Sequence, residues 1–224
     1  MTKITLLRHG LCEGETESRY IGHTDVSLTE QGRQQLEQLR RDFNFPNPDA
    51  LFVSPLKRCA ETAGIFYPGM MPIAIDGLKE YFFGEFENKT PAALEDHPLF
   101  HKWLAGQEDV TPPFAETLKE FQSRLRDTFT RVVDGLLKAK IEHAVVITHG
   151  GVIMALLAMF GLPEASMHEW LTPSGTGYTL RVEPSVWSRG RKVEVFAMAP
   201  EENLDDKNWN ERLLWKEIEE TEFM

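Results

Sequence analysis

The sequence predicts an α/β fold: three layers, with helices on both faces of a mostly parallel central sheet. Three observations carry this expectation. Short aliphatic runs without polar alternation, at residues 4–7, 50–53 and 144–147, read as strands buried on both faces. Segments of helical periodicity lie between them. Each run also stops abruptly, at Arg8-His9-Gly10, at Ser54-Pro55 and at Thr148-His149-Gly150-Gly151. In open α/β sheets, ligands bind just beyond such strand ends.

Taken in order, the strand Ile4-Thr5-Leu6-Leu7 is followed by a polar loop over 11–27. Thr29 is an N-cap with Glu30 in the first turn, and the helix runs to about Asn44 with Leu36, Leu39 and Phe43 on one face. Pro46 and Pro48 end it. The strand at 50–53 leads through Ser54-Pro55 to a helix over 56–66, a start that Pro favours. Pro72-Ile73-Ala74-Ile75 reads as a third strand. Residues 77–116 break the alternation with several prolines and Tyr81, Phe82, Phe83, Phe86, Phe100, Trp103 and Phe114. They are expected to form a small inserted lid over the strand ends, its rings mainly packing the insert itself.

Thr117-Leu118-Lys119-Glu120 is a capping box. Beyond it Leu118, Phe121, Leu125, Phe129, Val132 and Leu136 step by three and four, an apolar helix face to about Lys138. The strand at 144–147 precedes an apolar helix over 152–160, stopped by Gly161 and Pro163. Residues 176–183 and 192–199 read as antiparallel strands at a sheet edge, joined by a turn over 184–190.

At 224 residues, 42% hydrophobic and 26% charged, the chain fits one soluble domain with a substantial core. Residues 1–199 are expected to form that domain. The net charge of −11 argues against nucleic acid and anionic membranes as partners. Residues 200–224 hold nine acidic and three basic residues, so this tail carries −6 and the body −5. Residues 209–218 read as a short helix. No secretory leader is evident, and no apolar run reaches the ~20 residues that span a bilayer. Cys12 and Cys59 form no metal or redox spacing, so a cytoplasmic location is expected. Oligomeric assembly is left open.

If the strands are parallel, Arg8, His9, Ser54, Arg58 and His149 converge on one edge of the sheet. The helix after Gly150 aims its free N–H groups there as well. Two arginines, two histidines and a helix N-terminus imply an electropositive pocket, with a phosphate ester as its occupant. No G-x-x-x-x-G-K-[ST] is present, and neither cysteine has the arginine six residues on that a cysteine phosphatase needs. His97 and His101 share helical spacing, but Pro98 intervenes and no carboxylate is forced nearby, so no metal site is assigned.

With these residues in view, the sequence resembles the histidine phosphatase, or phosphoglycerate-mutase-like, superfamily. Arg8-His9-Gly10 matches its first motif. Residues 54–63 match S-P-x-x-R-x-x-[QE]-T-A, residues 78–87 resemble L-x-E-x-x-F-G-x-x-E, and Thr148-His149-Gly150-Gly151 matches the last. The resemblance implies His9 as nucleophile forming a phosphohistidine, with Arg8, Arg58 and His149 on the phosphoryl oxygens. Glu80 would be the leaving-group acid, with Glu85 and Glu87 as nearby alternatives. Gly150, and Gly22 and His23 of the Gly22-His23-Thr24-Asp25 loop, would line the substrate site. No cofactor is implied.

The length and the 22–25 loop look most like the α-ribazole phosphatase branch, tied to cobalamin biosynthesis. The expected activity is metal-independent hydrolysis of a small-molecule phosphate monoester, with α-ribazole 5′-phosphate as first candidate. Phosphoglycerate mutase and a catalytically silent phosphate-binding protein are the alternatives. The stretch Leu11-Cys12-Glu13-Gly14-Glu15 departs from the family pattern, which has Glu-Thr or Glu-Ser and then an Asn. A Glu15 carboxylate pointing inward would repel a phosphate.

Overall fold

Apolar strands that alternate between two covering layers set the architecture. The computed structural model describes residues 1–107 and 110–200. The expected short helix at 209–218, and the acidic tail as a whole, lie outside the described residues. Seven strands form one sheet: β1 (Thr2–Arg8), β2 (Ala50–Val53), β3 (Ile73–Ala74), β4 (His143–Thr148), β5 (Gly161–Leu162), β6 (Gly177–Val182) and β7 (Val193–Ala199), in the order β3-β2-β4-β1-β6-β7-β5. The β3–β2, β2–β4, β4–β1 and β5–β7 ladders are parallel, and β6 runs antiparallel to both β1 and β7. The antiparallel pair occupies one end of the sheet, with the two-residue β5 added outside it.

Period-two alternation gives each central strand two buried faces. Ile4, Leu6, Ala144 and Val146 face one layer, while Leu7, Val145 and Ile147 face the other. The first layer is α5 (Leu118–Ala139) and α6 (Gly150–Phe160). The second is α1 (Glu30–Asp42) and α2 (Lys57–Phe66), which contribute Leu36, Cys59, Ala63 and Phe66. Thr29 caps α1 by accepting from the Gly32 N–H at 2.9 Å. Thr117 and Glu120 exchange capping-box bonds at the start of α5. Among the described residues no helix is long and apolar enough to cross a membrane.

Three local expectations need correction. The stripe on α5 is rotated: Leu118 is 53% exposed, and Val133 rather than Val132 is fully buried. Leu118 opens the first turn, where the chain has not yet reached the sheet. The β6–β7 connection is a helix, α7 (Pro184–Gly190), with Pro184 in its first turn. Trp187 fixes it by packing on Phe129 and Phe160 and donating to Asp134 Oδ1 at 2.7 Å. Gly161, expected only to stop a helix, also begins β5.

Between β3 and α5 lie two short helices, α3 (Pro91–Leu94) and α4 (Phe100–Leu104), and two single 3₁₀ turns. Phe86, Leu94 and Phe100 form a separate small core with Tyr20, Phe83 and Trp103. Tyr81 bridges from Phe83 of this cluster to Phe121 of α5, edge-on to both, and Phe82 faces away from it, against His23. Phe114 is 82% exposed.

This placement of α5 predicts a contrast in stability. Leu125→Ala should cost about 2–5 kcal/mol by opening a cavity, and Leu118→Ala less than about 0.5 kcal/mol. Urea unfolding of the two variants measures it, and comparable losses would restore the unrotated stripe.

Candidate active site

β1, β2 and β4 end at the same edge of the sheet, and each delivers a polar residue there. The Ser54 N–H bonds to Ile147 O and the His9 N–H to Thr148 O, so the three strand ends are tied together. In the first turn of α2, Arg58 enters from the side and is 0% exposed. Its Nη1 donates to Thr24 O at 3.0 Å and its Nη2 to Gly22 O at 2.7 Å. Its single Nε–H is shared between His9 Nε2 and His149 Nδ1, both at 3.2 Å. Among the described residues no carboxylate lies within ion-pair distance of Arg58.

That geometry fixes the state of both imidazoles. His9 Nδ1 is 2.7 Å from Gly10 O and so carries the proton, which leaves Nε2 as the accepting lone pair. His149 accepts at Nδ1, so its Nε2–H donates to Ser54 Oγ at 2.8 Å. Burial, with the arginine charges adding to it, lowers the His9 pKa to about 4, even against the opposing pull of Glu15. Burial and Arg58 hold His149 well below the usual histidine range. Both rings are therefore neutral at pH 7, and one presents a free nucleophilic nitrogen to a buried cation.

Arg8, at the end of β1, is differently placed. Its Nη1 donates to Thr172 O at 2.9 Å, and its Nη2 pairs with Glu15 Oε1 at 3.1 Å. Its Nε is buried without a hydrogen-bond partner. It lies beside Gly150, where a Cβ would sit 3.4 Å from that nitrogen. Gly150 opens α6, so its N–H has no partner within the helix. An orphaned guanidinium donor and a helix N-terminus thus meet next to the histidines. Glu15 does point inward: its other oxygen accepts from the Cys12 N–H at 2.9 Å. Burial opposes its charge, but His9, Arg8 and the Cys12 bonds outweigh that and hold its pKa down to about 2.

Glu80 faces the same pocket, its carboxylate accepting from the Gly151 N–H and the Tyr81 N–H, each at 2.9 Å. A Cβ on Gly151 would lie 2.5 Å from Glu80 Oε1, so only glycine admits this contact. Burial raises the Glu80 pKa against those two bonds and the arginines. Arg124 on α5 anchors the segment, donating to Gly77 O, Lys79 O and Glu80 O.

Gly22 and His23 come to the site, but their polar groups are engaged within the protein. Glu87 accepts from the N–H groups of Gly22, His23, Thr24 and Phe83 and from the Thr24 hydroxyl. His23 Nε2 bonds Glu80 O at 2.9 Å. Gly22 itself sits against Tyr81 O, where a Cβ would be 2.0 Å away. Glu87 thus folds the loop whose carbonyls hold Arg58, a role that its place at the end of the third motif did not reveal. Glu85 instead lies near His97, 3.9 Å away. Arg124, Thr172 and the pairing of Glu15 with Arg8 also escaped sequence reading.

Among the described residues, one group, His9, Cys12 and Glu15, brings possible metal-ligand atoms within 4.8 Å of one another. Its carboxylate is already paired with Arg8, burial keeps the Cys12 thiol protonated, and Arg58 acts on the same thiol, so the group suits a cation poorly.

The chain is similar to known proteins along most of its length. The family model of the histidine phosphatase superfamily (branch 1) matches residues 4–191. The adenosylcobalamin/alpha-ribazole phosphatase of Salmonella typhimurium is 26% identical over 96% of this chain and 98% of its own. A 2,3-bisphosphoglycerate-dependent phosphoglycerate mutase of Tropheryma whipplei is 27% identical over 83% of this chain and 95% of its own. The crystal structure of the alpha-ribazole phosphatase from Shigella flexneri superposes with a TM-score of 0.76 at 22% identity, covering 88% and 96% of the two chains.

The neutral histidines make stability pH-dependent. Below about pH 6.5 the unfolded chain protonates these rings, while folded His9 resists protonation until about 4. Their contribution is therefore complete above about 6.5 and declines as the pH falls. At about pH 5, His9→Gln should lose about 2 kcal/mol less than wild type relative to neutral pH. Urea unfolding at both pH values measures this, and equal losses would mean that the ring protonates freely in the fold.

Proposed function

The chain belongs to the histidine phosphatase superfamily, and from that premise we propose that it hydrolyses a small-molecule phosphate monoester through a phosphohistidine on His9. The observation that carries this reading is the single Arg58 N–H shared by two neutral imidazoles, on a buried cation that no carboxylate among the described residues pairs with. A buried unpaired charge is costly, and an anion is what would complete it.

In this reading His9 Nε2 attacks phosphorus and the ester oxygen leaves on the opposite side. The Nδ1–H keeps donating to Gly10 O as positive charge develops on the ring. The arriving phosphoryl group takes over the Arg58 N–H and meets the unpartnered Arg8 Nε and the Gly150 N–H. With its Nδ1 released from Arg58, His149 takes the other tautomer, accepts from the Ser54 hydroxyl and donates to the phosphoryl group from Nδ1. Charge gathers on the equatorial oxygens in a loose transition state, where fixed donors act most strongly. Glu80, whose hold on a proton burial strengthens, protonates the leaving oxygen and then takes a proton from the water that frees His9. No step draws on a metal.

Water is the proposed acceptor rather than a second phosphoglycerate. The tail at 200–224 carries −6, which disfavours retention of a bisphosphate near it. α-Ribazole 5′-phosphate is the first candidate substrate, supported by the similarity to the adenosylcobalamin/alpha-ribazole phosphatase of Salmonella typhimurium. The His23–Phe82 pair, 5.0 Å between centroids beside Glu80 O, offers a surface for a flat leaving group.

Rapid quenching of a phosphate monoester reaction in chelator is expected to trap an acid-labile, base-stable phosphoryl group on His9. It should be absent from His9→Ala together with turnover. Label on another residue, or dependence on added Mg²⁺ or Zn²⁺, would reject the mechanism. A phosphoenzyme that persists in water and isomerises primed 3-phosphoglycerate would make the protein a mutase, and binding without turnover a silent relative.

The role of Glu80 has its own signature. Glu80→Gln should slow alkyl esters by about 10²- to 10⁴-fold and aryl esters far less, because aryl groups leave without a proton. Equal losses would move the acid to another group.

A further inference from the structure

We infer that Glu15 sets the charge of the phosphoryl pocket, so that the site favours a singly charged phosphoryl group over a doubly charged one. The inference rests on the phosphate-site reading above and specifies which ionic form of that substrate the site takes.

The charges facing the pocket can be counted. Arg8 and Arg58 supply two positive charges, and the neutral His9 and His149 supply none. Glu15, 19% exposed at its side chain, is paired with Arg8 at 3.1 Å and fixed by the Cys12 N–H. Its carboxylate cancels one arginine and occupies the Arg8 Nη2 that an oxyanion would otherwise take. With Glu80, whose pKa burial raises, left out of the count, the pocket holds one net positive charge. A monoanionic phosphoryl group then balances the site, and a dianion leaves one negative charge uncompensated in a half-dry cleft.

The groups around Glu15 do not change this count between weakly acidic and weakly basic pH. Arg8 and His9 face it from the end of β1, Cys12 from its own loop, and Arg58 and Cys59 from α2. His9 and Glu15 titrate well below that window, and burial pushes both thiols upward, out of it. What does change is the ligand, since phosphate esters lose their second proton near pH ~6. Any charge on Glu80 is common to wild type and variants and does not enter their comparison. Glu15 is thus a positioning residue that acts through Arg8. It would also speed departure of the product, since inorganic phosphate is mostly a dianion at weakly basic pH.

The test is binding of inorganic phosphate, measured by titration calorimetry at about pH 5.5 and about pH 8 for wild type, Glu15→Gln and Glu15→Asp. Removing the carboxylate charge should tighten binding by about tenfold at the higher pH and about threefold at the lower, because the Coulomb energy scales with ligand charge. Glu15→Asp, which keeps the charge, should keep the wild-type pH dependence and so separates charge from local structure. Equal tightening at both pH values, or none, overturns the role of Glu15 while the phosphate site stands. No phosphate binding by any of the three proteins overturns the phosphate site, and this inference with it.

Discussion

One N–H group, on Arg58 Nε, holds the candidate site together. It is shared by two imidazole nitrogens 3.2 Å away on either side, and a donor so placed requires both nitrogens to be unprotonated. The remaining guanidinium contacts are main-chain carbonyls of Gly22 and Thr24. A buried arginine usually finds a carboxylate. Here its partners are neutral acceptors, so its charge is solvated but not cancelled. The result is a fixed positive potential at a strand edge, in a chain whose net charge is −11. The acidic residues act one step away: Glu87 ties the loop that supplies the two carbonyls, and Glu15 neutralises Arg8 rather than Arg58.

The fold explains why residues so distant in sequence meet. β1, β2 and β4 are adjacent and parallel, so the residues after Arg8, Val53 and Thr148 emerge side by side. α2 and α6 start from two of those ends, which puts Arg58 and the Gly150–Gly151 N–H groups over the edge. From the other side, Arg124 on α5 holds the carbonyls of Gly77, Lys79 and Glu80. Thr148 Oγ1 also donates to Leu78 O at 2.8 Å. The acid-bearing segment is therefore pinned to the same helix and strand that build the core.

Much of this was legible in the sequence wherever a local pattern has one physical cause. The buried strands follow from aliphatic runs, and the starts of α1 and α5 follow from Thr29 and the Thr117–Glu120 capping box. The convergence of Arg8, His9, Arg58 and His149 follows from parallel strands that end in polar residues. What was not legible depends on direction or on distant partners. Helical periodicity fixed the α5 stripe only to within a residue, so Leu118 was assigned to the core and Val133 was not. Trp187 makes α7 a helix through Phe129, Phe160 and Asp134, none of which is near it in the chain. Glu15 lies in a loop whose side-chain directions no periodicity sets, so a carboxylate expected to repel phosphate could not be placed on Arg8 beforehand.

The central claim is that His9 Nε2 is the nucleophile in a pocket of fixed donors around Arg58. Its most direct test is a crystal structure with orthovanadate, a stand-in for the five-coordinate phosphorus of the transition state. The account predicts vanadium bonded axially to His9 Nε2, with equatorial oxygens on Arg58, His149, Arg8 Nε and the Gly150 N–H, and the opposite axial oxygen next to Glu80. Vanadate bound away from His9, or seated with the ring nitrogen outside the coordination axis, would contradict it.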